Sequence, residues 1–257
     1  VSHAERPSID AFFDIHGSEC LVINGMQVRS IAHDICAMIA LTGSTSGSNA
    51  DWATVLAHAQ QDRFTLPHLV MGGPSFTGSM GTAVARTGAN SQLENLLSGD
   101  ILNFSDTPVS TASRPAQSIV DAYMDARSAA RVLQSRSDVD AELSLAFDQS
   151  LANAQGLKDY RYVMNFSGGS TLADQAAVAV DALGTGLSRC VTLTSPVTGG
   201  GAQGWDTHAD NDDSQSPLWE SLFTGLLQIR DLLATTPGEV TATLAEQTIS
   251  AMAAQAA

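Results

Sequence analysis

Two residues with metal-ligand chemistry stand two positions apart near the last quarter of the sequence. Asp206 and His208 follow an apolar, β-branched run at 189–195 and three glycines at 199–201. In an extended segment, residues i and i+2 point to the same side, so this carboxylate and imidazole can share one divalent cation. The pair also fits a polar surface loop, in which Asp206 caps a turn and His208 is solvated. The spacing alone leaves both interpretations open.

A calcium-binding loop is a third interpretation, because acidic and imidazole side chains alternate through 206–212. An EF-hand loop requires glycine at its sixth position and a glutamate at its twelfth. Those positions hold Asn211 and Pro217, which excludes an EF-hand. The outer carboxylates are instead expected near the first turn of the following helix, where negative charge is favourable.

Two glycine–serine segments and one cysteine carry weaker signals for chemistry. Gly72-Gly73-Pro74-Ser75 and the segment 167–170 lack the G-x-S-x-G pattern of a serine nucleophile. Each is predicted to form a tight turn at a sheet edge. Cys36 stands three positions after His33 on a predicted helix, and both a reactive thiol and a core side chain fit that position.

The charge balance excludes several classes of partner. The 257 residues carry a formal net charge of −15, and Lys158 is the single lysine among twelve basic residues. Nucleic acids and acidic membrane surfaces need a clustered basic surface, so neither is expected as a partner. No apolar window reaches the roughly 18 residues of a membrane span, and the first residues lack a signal-peptide pattern. Three scattered cysteines indicate neither a disulfide framework nor a thiolate zinc cluster.

Hydrophobic periodicity predicts short buried strands that alternate with helices. Apolar strands are expected at 20–24, 67–71 and 189–195. Helices are expected at 7–14, at 33–41, at 51–61, within 117–157 as two or more helices, at 172–183 and at 217–233. The apolar face of the segment 51–61 is predicted to consist of Trp52, Val55, Leu56 and Ala59.

The last predicted helix has a recognisable start, with Ser216 as its N-cap and Pro217 in its first turn. Alternating strands and helices imply a mostly parallel sheet covered on both sides, within one α/β domain that spans residues 1–257. In such sheets, functional groups gather where loops leave the carboxyl ends of the strands.

The segment 30–43 has the layout of a catalytic helix. It reads SIAHDICAMIALTG, and nine positions before its Thr42-Gly43 ending stands His33. In the alkaline phosphatase and sulfatase superfamily, a nucleophile opens a helix that ends in Thr-Gly at that distance. With GWDTH at 204–208, HLVMGGPSF at 68–76 and LSRCVTLTSP at 187–196, the chain resembles the domain-of-unknown-function 1501 family, an exported bacterial branch of that superfamily. The resemblance extends from about Phe12 to Thr248.

The resemblance implies a three-layer α/β/α fold of the alkaline-phosphatase type, with a mostly parallel central sheet. It also implies a two-cation site that hydrolyses phosphate or sulfate esters. His33 takes the nucleophile slot, and Asp206 and His208 match a pair of metal ligands. The implied cation is zinc, calcium or manganese, the implied substrate is a small-molecule or glycan ester, and the implied location is periplasmic or extracytoplasmic.

Two departures from the family pattern define an alternative. Histidine in the nucleophile slot can ligate a metal or form a phosphohistidine, but it cannot act as the usual alkoxide. The metal-binding strand that opens the family domain and its later Ser-Glu-(Phe/Met)-Gly-Arg strand have no counterpart here. We therefore interpret the chain as an internal fragment with a domain incomplete at both ends. The alternative function is a non-catalytic exported binding or surface protein that retains the fold.

Overall fold

The computed structural model describes residues 6–23, 28, 30–87, 93, 114–160, 164, 171–195, 205 and 211–236. The helices with described bounds are α1 Pro7–His16, α2 His33–Thr42, α3 Trp52–His58, α4 Arg114–Leu133, α5 Asp138–Tyr160, α6 Leu172–Gly184 and α7 Asn211–Thr235. The strands in these ranges are β1 His68–Val70, β2 Val84–Arg86 and β3 Cys190–Thr192. A search of the described helices for a bilayer-spanning stretch finds none.

The three strands form a parallel sheet in the order β2-β1-β3. Leu69 at the centre of β1 is aligned with Ala85 on one side and with Val191 on the other. The parallel sheet predicted from the alternation of strands and helices is confirmed. The strand β2 was not predicted, because Val84-Ala85-Arg86 is too short to show any periodicity.

The central strand β1 is buried along its whole length, as expected for a strand of a parallel sheet that has helices on both faces. Leu69 faces the main apolar cluster, which includes Val178 and Ala179 of α6. His68 on the alternate side of β1 contacts Thr54 of α3. The chain is therefore an α/β protein with helices on both faces of a small parallel sheet, an arrangement compatible with a three-layer α/β/α fold.

A second helical layer forms where α7 packs against both α1 and α6. The rings of Phe12 and Phe13 contact Phe223 at centroid distances of 5.2 and 5.7 Å. The hydroxyl of Ser8 donates to the Glu220 carboxylate at 2.7 Å, and its backbone N–H donates to the same group. Aromatic packing and hydrogen bonds to a charged acceptor thus fix the first described helix on the last one.

The start of α7 differs from the prediction. The helix begins at Asn211 rather than after Ser216, so Pro217 lies inside it. The prediction of Ser216 as an N-cap is wrong because its hydroxyl has other partners: it donates to the Asp212 carbonyl one turn earlier and accepts from the Arg6 guanidinium at 2.9 Å. Negative charge in the first turn, from Asp212 and Asp213, favours the earlier start.

Two further predictions from hydrophobicity are wrong. Residues 20–23 form no strand, and Leu21, Val22 and Ile23 are exposed. On α3 the predicted apolar face points outward, with Trp52 77% exposed, whereas Thr54 and Ala57 are fully buried. The cause is the hydrogen bond between Thr54 and His68 of the sheet. It turns the polar side of this short helix toward the sheet and leaves the apolar side chains facing outward.

The crossing of α6 and α7 depends on a glycine. A Cβ at Gly225 would lie 2.7 Å from Leu172 Cδ2 and 3.1 Å from both Leu172 Cβ and Cγ. Alanine is the better helix former by up to about 1 kcal/mol, but overpacking a close contact costs about 1–3 kcal/mol. The absence of a side chain at this position therefore sets the distance between the two helices.

We expect Gly225→Ala to lower the free energy of unfolding by about 1–2 kcal/mol in urea denaturation, because overpacking exceeds the gain in helix propensity. The matched control is Gly47→Ala, where an added Cβ meets nothing within 4 Å. In a Leu172→Ala background, which removes Cγ and Cδ2 but keeps the Cβ contact at 3.1 Å, the same Gly225→Ala change should cost less. A loss of equal size in both backgrounds would contradict the proposed clash.

Candidate functional site

His33 is the first residue of α2 and is exposed. The N-cap residue, Ala32, supplies no side-chain cap to the helix. At the other end, the Thr42 hydroxyl donates to the Met38 carbonyl at 2.7 Å, and Gly43 adopts a left-handed conformation with φ of 70°. The helix predicted from His33 to the Thr-Gly ending is confirmed. His33 lies in the first turn of this helix, where the backbone N–H groups have no acceptor within the helix.

The predicted ligands Asp206 and His208 lie outside the described residues. The residue before them, Trp205, is anchored on α7: its ring stacks edge-on against Trp219 at 5.0 Å, and its carbonyl accepts from Gln215 Nε2 at 3.3 Å. The chain is described again from Asn211, the first residue of α7. The approach of His33 to this pair therefore stays a prediction. Among the described ranges, no group of three or more His, Cys, Asp or Glu side chains is placed to hold a metal ion.

The described residues assemble one buried polar network, which is centred on His68 of β1. This side chain is fully buried. Its Nδ1 lies 3.0 Å from Thr54 Oγ1 on α3, and its Nε2 lies 2.8 Å from Thr192 Oγ1 on β3. A threonine hydroxyl donates or accepts, so the neutral imidazole finds a partner at both nitrogens in either tautomer.

Asp51 attaches the start of α3 to a neighbouring loop. Its carboxylate accepts from the backbone N–H of Thr54 at 2.7 Å, which caps the helix, and from the backbone N–H of Phe76 at 2.8 Å. The Asp51 backbone N–H donates in turn to the Phe76 carbonyl at 2.8 Å. One residue thus fixes the first turn of α3 and the loop that follows β1.

The electrostatics of the network keep the imidazole neutral and the carboxylate charged. Burial lowers the pKa of His68 below its ordinary value of 6.5; the negative charge of Asp51 opposes this effect and the positive charge of Arg86 adds to it. Burial would raise the pKa of Asp51, but hydrogen bonds from the backbone of Thr54 and Phe76 outweigh it, so that this pKa lies below 3.8. A closed network of this kind has no access for a substrate, and its role is to position α3 on the sheet.

Hydrogen bonds also join the loops at the carboxyl edge of the sheet. Gly73 turns the chain after β1 with φ of +79°, and its carbonyl accepts from the Arg86 guanidinium at 2.9 Å. After β3, the backbone of Thr194 exchanges two hydrogen bonds with the Gln175 side chain of α6. A Cβ at Gly72 would lie 2.3 Å from Thr194 Cγ2, so the two loops are in direct contact. Where a tight turn was predicted, Gly72 and Gly73 form a bend, and the segment 167–170 lies outside the described residues.

Cys20 is exposed, whereas the other two cysteines are partly buried. The half-buried thiol of Cys36 donates to the Ser30 carbonyl at 3.1 Å. Burial raises the pKa of the Cys190 thiol to about 11, so this group stays protonated at neutral pH. Cys190 is thus a structural side chain of β3.

Comparisons with protein-family models, with curated proteins and with solved structures find no match for this chain.

The network around His68 was not predicted. A histidine within an apolar strand gives no signal by itself, because a satisfied core histidine and a functional one look alike in sequence. Asp51 followed three residues later by Thr54 does fit an N-cap pattern, and it was the available signal for the exact start of α3.

We expect Asp51→Ala to lower the free energy of unfolding by about 2–4 kcal/mol, because it removes a helix cap and leaves the Phe76 N–H without its charged acceptor. Urea denaturation measures this. The matched control is Asp174→Ala, which removes the exposed capping box of α6 and should cost only about 1 kcal/mol. Equal losses in the two variants would contradict the role of Asp51 as a link between two elements.

Protonation of His68 should couple stability to pH. Since its pKa is lowered in the folded state, the unfolded chain binds more protons just below the ordinary value of 6.5. The free energy of unfolding should therefore fall as the pH drops from 7.5 to 5.5, with a contribution from this group of at most about 1.4 kcal/mol. In His68→Gln this part of the pH dependence should disappear, whereas in His58→Gln it should remain. An unchanged pH slope in His68→Gln would contradict the assignment.

Proposed function

We propose that this chain is a metal-dependent hydrolase-like protein acting on phosphate or sulfate esters, with His33 in the nucleophile slot. The observation that carries the proposal is the local structure of α2. The helix begins at His33, ends at Thr42 and is closed by Gly43, and its first side chain is exposed. A group at the first residue of a helix lies beside backbone N–H groups that attract anionic oxygens such as those of a phosphate or sulfate.

An imidazole nitrogen is chemically competent for this slot. Attack of a neutral His33 ring nitrogen on the ester would form an N–P or N–S bond and release the alcohol, which takes its proton from water. Water would then cleave that bond and regenerate the free imidazole together with phosphate or sulfate. The nucleophile in this scheme needs no alkoxide, which is the feature that distinguishes it from a serine or threonine enzyme.

Asp206 and His208 are the proposed metal ligands. One carboxylate and one imidazole suit zinc or manganese, whereas calcium prefers oxygen ligands alone. When bound, such a cation supplies a Lewis acid for the ester oxygens. The anchoring of Trp205 on Trp219 supports the proposal, because it fixes the chain one residue before the ligand pair.

We expect turnover of aryl phosphate or aryl sulfate esters to fall at least about 100-fold in both His33→Ala and His208→Ala, as is usual when a nucleophile or a ligand is removed. His58→Ala is the control histidine and should retain activity. Elemental analysis separates the roles: metal content should drop in His208→Ala and stay unchanged in His33→Ala. Metal lost in both variants would make His33 a ligand instead, and full activity in both would exclude the proposed site.

A non-catalytic binding or surface protein is the second candidate, and the exposed face of α3 favours it. Trp52 is 77% exposed, and Val55 and Leu56 on the same helix are also exposed. Tryptophan is enriched among residues that dominate protein–protein binding. A protein that holds no zinc, calcium or manganese and hydrolyses neither ester would support this candidate over the hydrolase.

A further inference from the structure

A cleft lies between α6 and α7, beside the point where Leu172 packs on Gly225. Its α6 wall includes Ala173 and Ala177, whose methyl side chains fill little of the space between the two helices. Leu232 of α7 is the largest apolar side chain of the described lining. The cleft has a volume of about 450 Å³, which lies within the range of roughly 300–1,000 Å³ that is usual for small-molecule sites.

The polar groups of the cleft can all accept hydrogen bonds. The helix α7 contributes the Gln228 amide, the Asp231 carboxylate and the Thr235 hydroxyl, and α6 contributes the Asp174 carboxylate. The described lining residues include no lysine, arginine or histidine, so the ionised groups among them are both negative. The cleft therefore selects a cation over an anion.

The end of α7 adds to this negative potential. Asp231, Leu232 and Thr235 lie in or next to the last turn of the helix, where the backbone dipole has its negative end. A basic side chain in this turn would offset the dipole, but the last turn of α7 has none. Arg230, immediately before Asp231, is instead bound to the Glu19 carboxylate at 2.6 Å. The cation that this helix end favours is therefore not supplied by its own last turn.

The lining also indicates which kind of cation fits. A quaternary ammonium group is recognised by aromatic rings, and none of the described lining residues is aromatic. A primary ammonium group carries three N–H donors, which match the acceptor oxygens of Asp231, Gln228 and Thr235. The Thr235 hydroxyl donates its proton to the Asp231 carbonyl at 2.8 Å, so its oxygen lone pairs face incoming donors. The polar end of the cleft thus suits a primary amine.

We propose that the cleft between α6 and α7 binds a small aliphatic diamine. One ammonium group is bound by Asp231 at the end of α7, and the methylene chain lies on Ala177 and Leu232. The second ammonium group is attracted by the Asp174 carboxylate on the opposite wall, which also accepts from the Thr171 hydroxyl in the capping box of α6. Two carboxylates on facing walls with an apolar surface between them match the two charges and the apolar body of such a ligand.

The expected affinity is modest because the polar wall of the cleft is open to water. Gln228, Asp231 and Thr235 are exposed, so their interactions with an ammonium group compete with hydration. For a small ligand at such a site we expect a dissociation constant of about 0.1–1 mM, which should rise as salt screens the charges.

The test is isothermal titration calorimetry of the full chain at low salt with cadaverine, a linear aliphatic diamine. We expect a single saturable site, and binding at least about tenfold weaker for the linear diol of the same chain length, which carries no charge. Asp231→Asn should weaken cadaverine binding at least about tenfold, because it replaces a charge-assisted hydrogen bond with a neutral one.

The control has to account for the formal net charge of −15, which attracts diamines to the protein without specificity. Asp213→Asn is matched to Asp231→Asn: it removes the same charge from an exposed position in the first turn of the same helix. It should change the affinity by less than about twofold, because exposed charges more than a Debye length apart are screened.

A second variant tests the apolar wall. Ala177→Leu should weaken cadaverine binding at least about fivefold, because the larger side chain occupies the space of the methylene chain. Its circular dichroism spectrum should stay unchanged, since leucine is a good helix former.

The absence of saturable binding up to about 10 mM, well above the expected constant, would overturn the proposal. Equal losses in Asp231→Asn and Asp213→Asn would also overturn it, because they would indicate non-specific attraction. Binding of the diol as tightly as the diamine, or full binding in both Asp231→Asn and Ala177→Leu, would exclude this cleft as a diamine site. The measurement uses no ester substrate, so a failure here and a failure of the proposed function are distinguishable.

Discussion

The buried imidazole of His68 is hydrogen-bonded to two threonine hydroxyls, and these contacts determine how helix α3 packs on the sheet. Thr54 approaches His68 from α3, and Thr192 approaches it from the neighbouring strand. A buried imidazole without partners would be costly, so the helix has to present a hydroxyl at this point. The orientation of α3, with its apolar residues outside, follows from satisfying these polar atoms.

Sequence reasoning succeeded where one local signal dominates. The helix α2 was predicted with the correct first residue and ending, because Gly43 adopts a conformation that favours glycine. The parallel sheet followed from apolar runs that alternate with helices. The face of α3 was predicted wrongly because hydrophobic periodicity contains no information about a histidine 14 positions away. The predicted start of α7 was too far along the chain. Ser216-Pro217 is a typical helix start, but the helix begins more than one turn earlier, where acidic residues stabilise its first turn.

The sequence predicts the candidate site only where its residues belong to one short segment of the chain. His33 opens its helix as the motif requires, but a ligand pair separated from it by more than 170 positions depends on how distant loops are folded. Trp205 gives one fixed point for that pair, on the surface of α7. The buried network was missed for the same reason, since Thr192 and Thr54 belong to segments that meet only in the folded sheet.

The chemical character of the contacts differs between the two sides of the fold. The imidazole of His68 has uncharged hydroxyls as its hydrogen-bond partners, whereas α1 is held to α7 partly through ion pairs, Arg6 with Asp212 and Glu19 with Arg230. Dissolved ions screen exposed charges strongly and buried neutral hydrogen bonds hardly at all. High ionic strength therefore weakens the two ion pairs that flank α1, while the aromatic packing of α1 on α7 and the hydrogen bonds that attach α3 to the sheet are preserved.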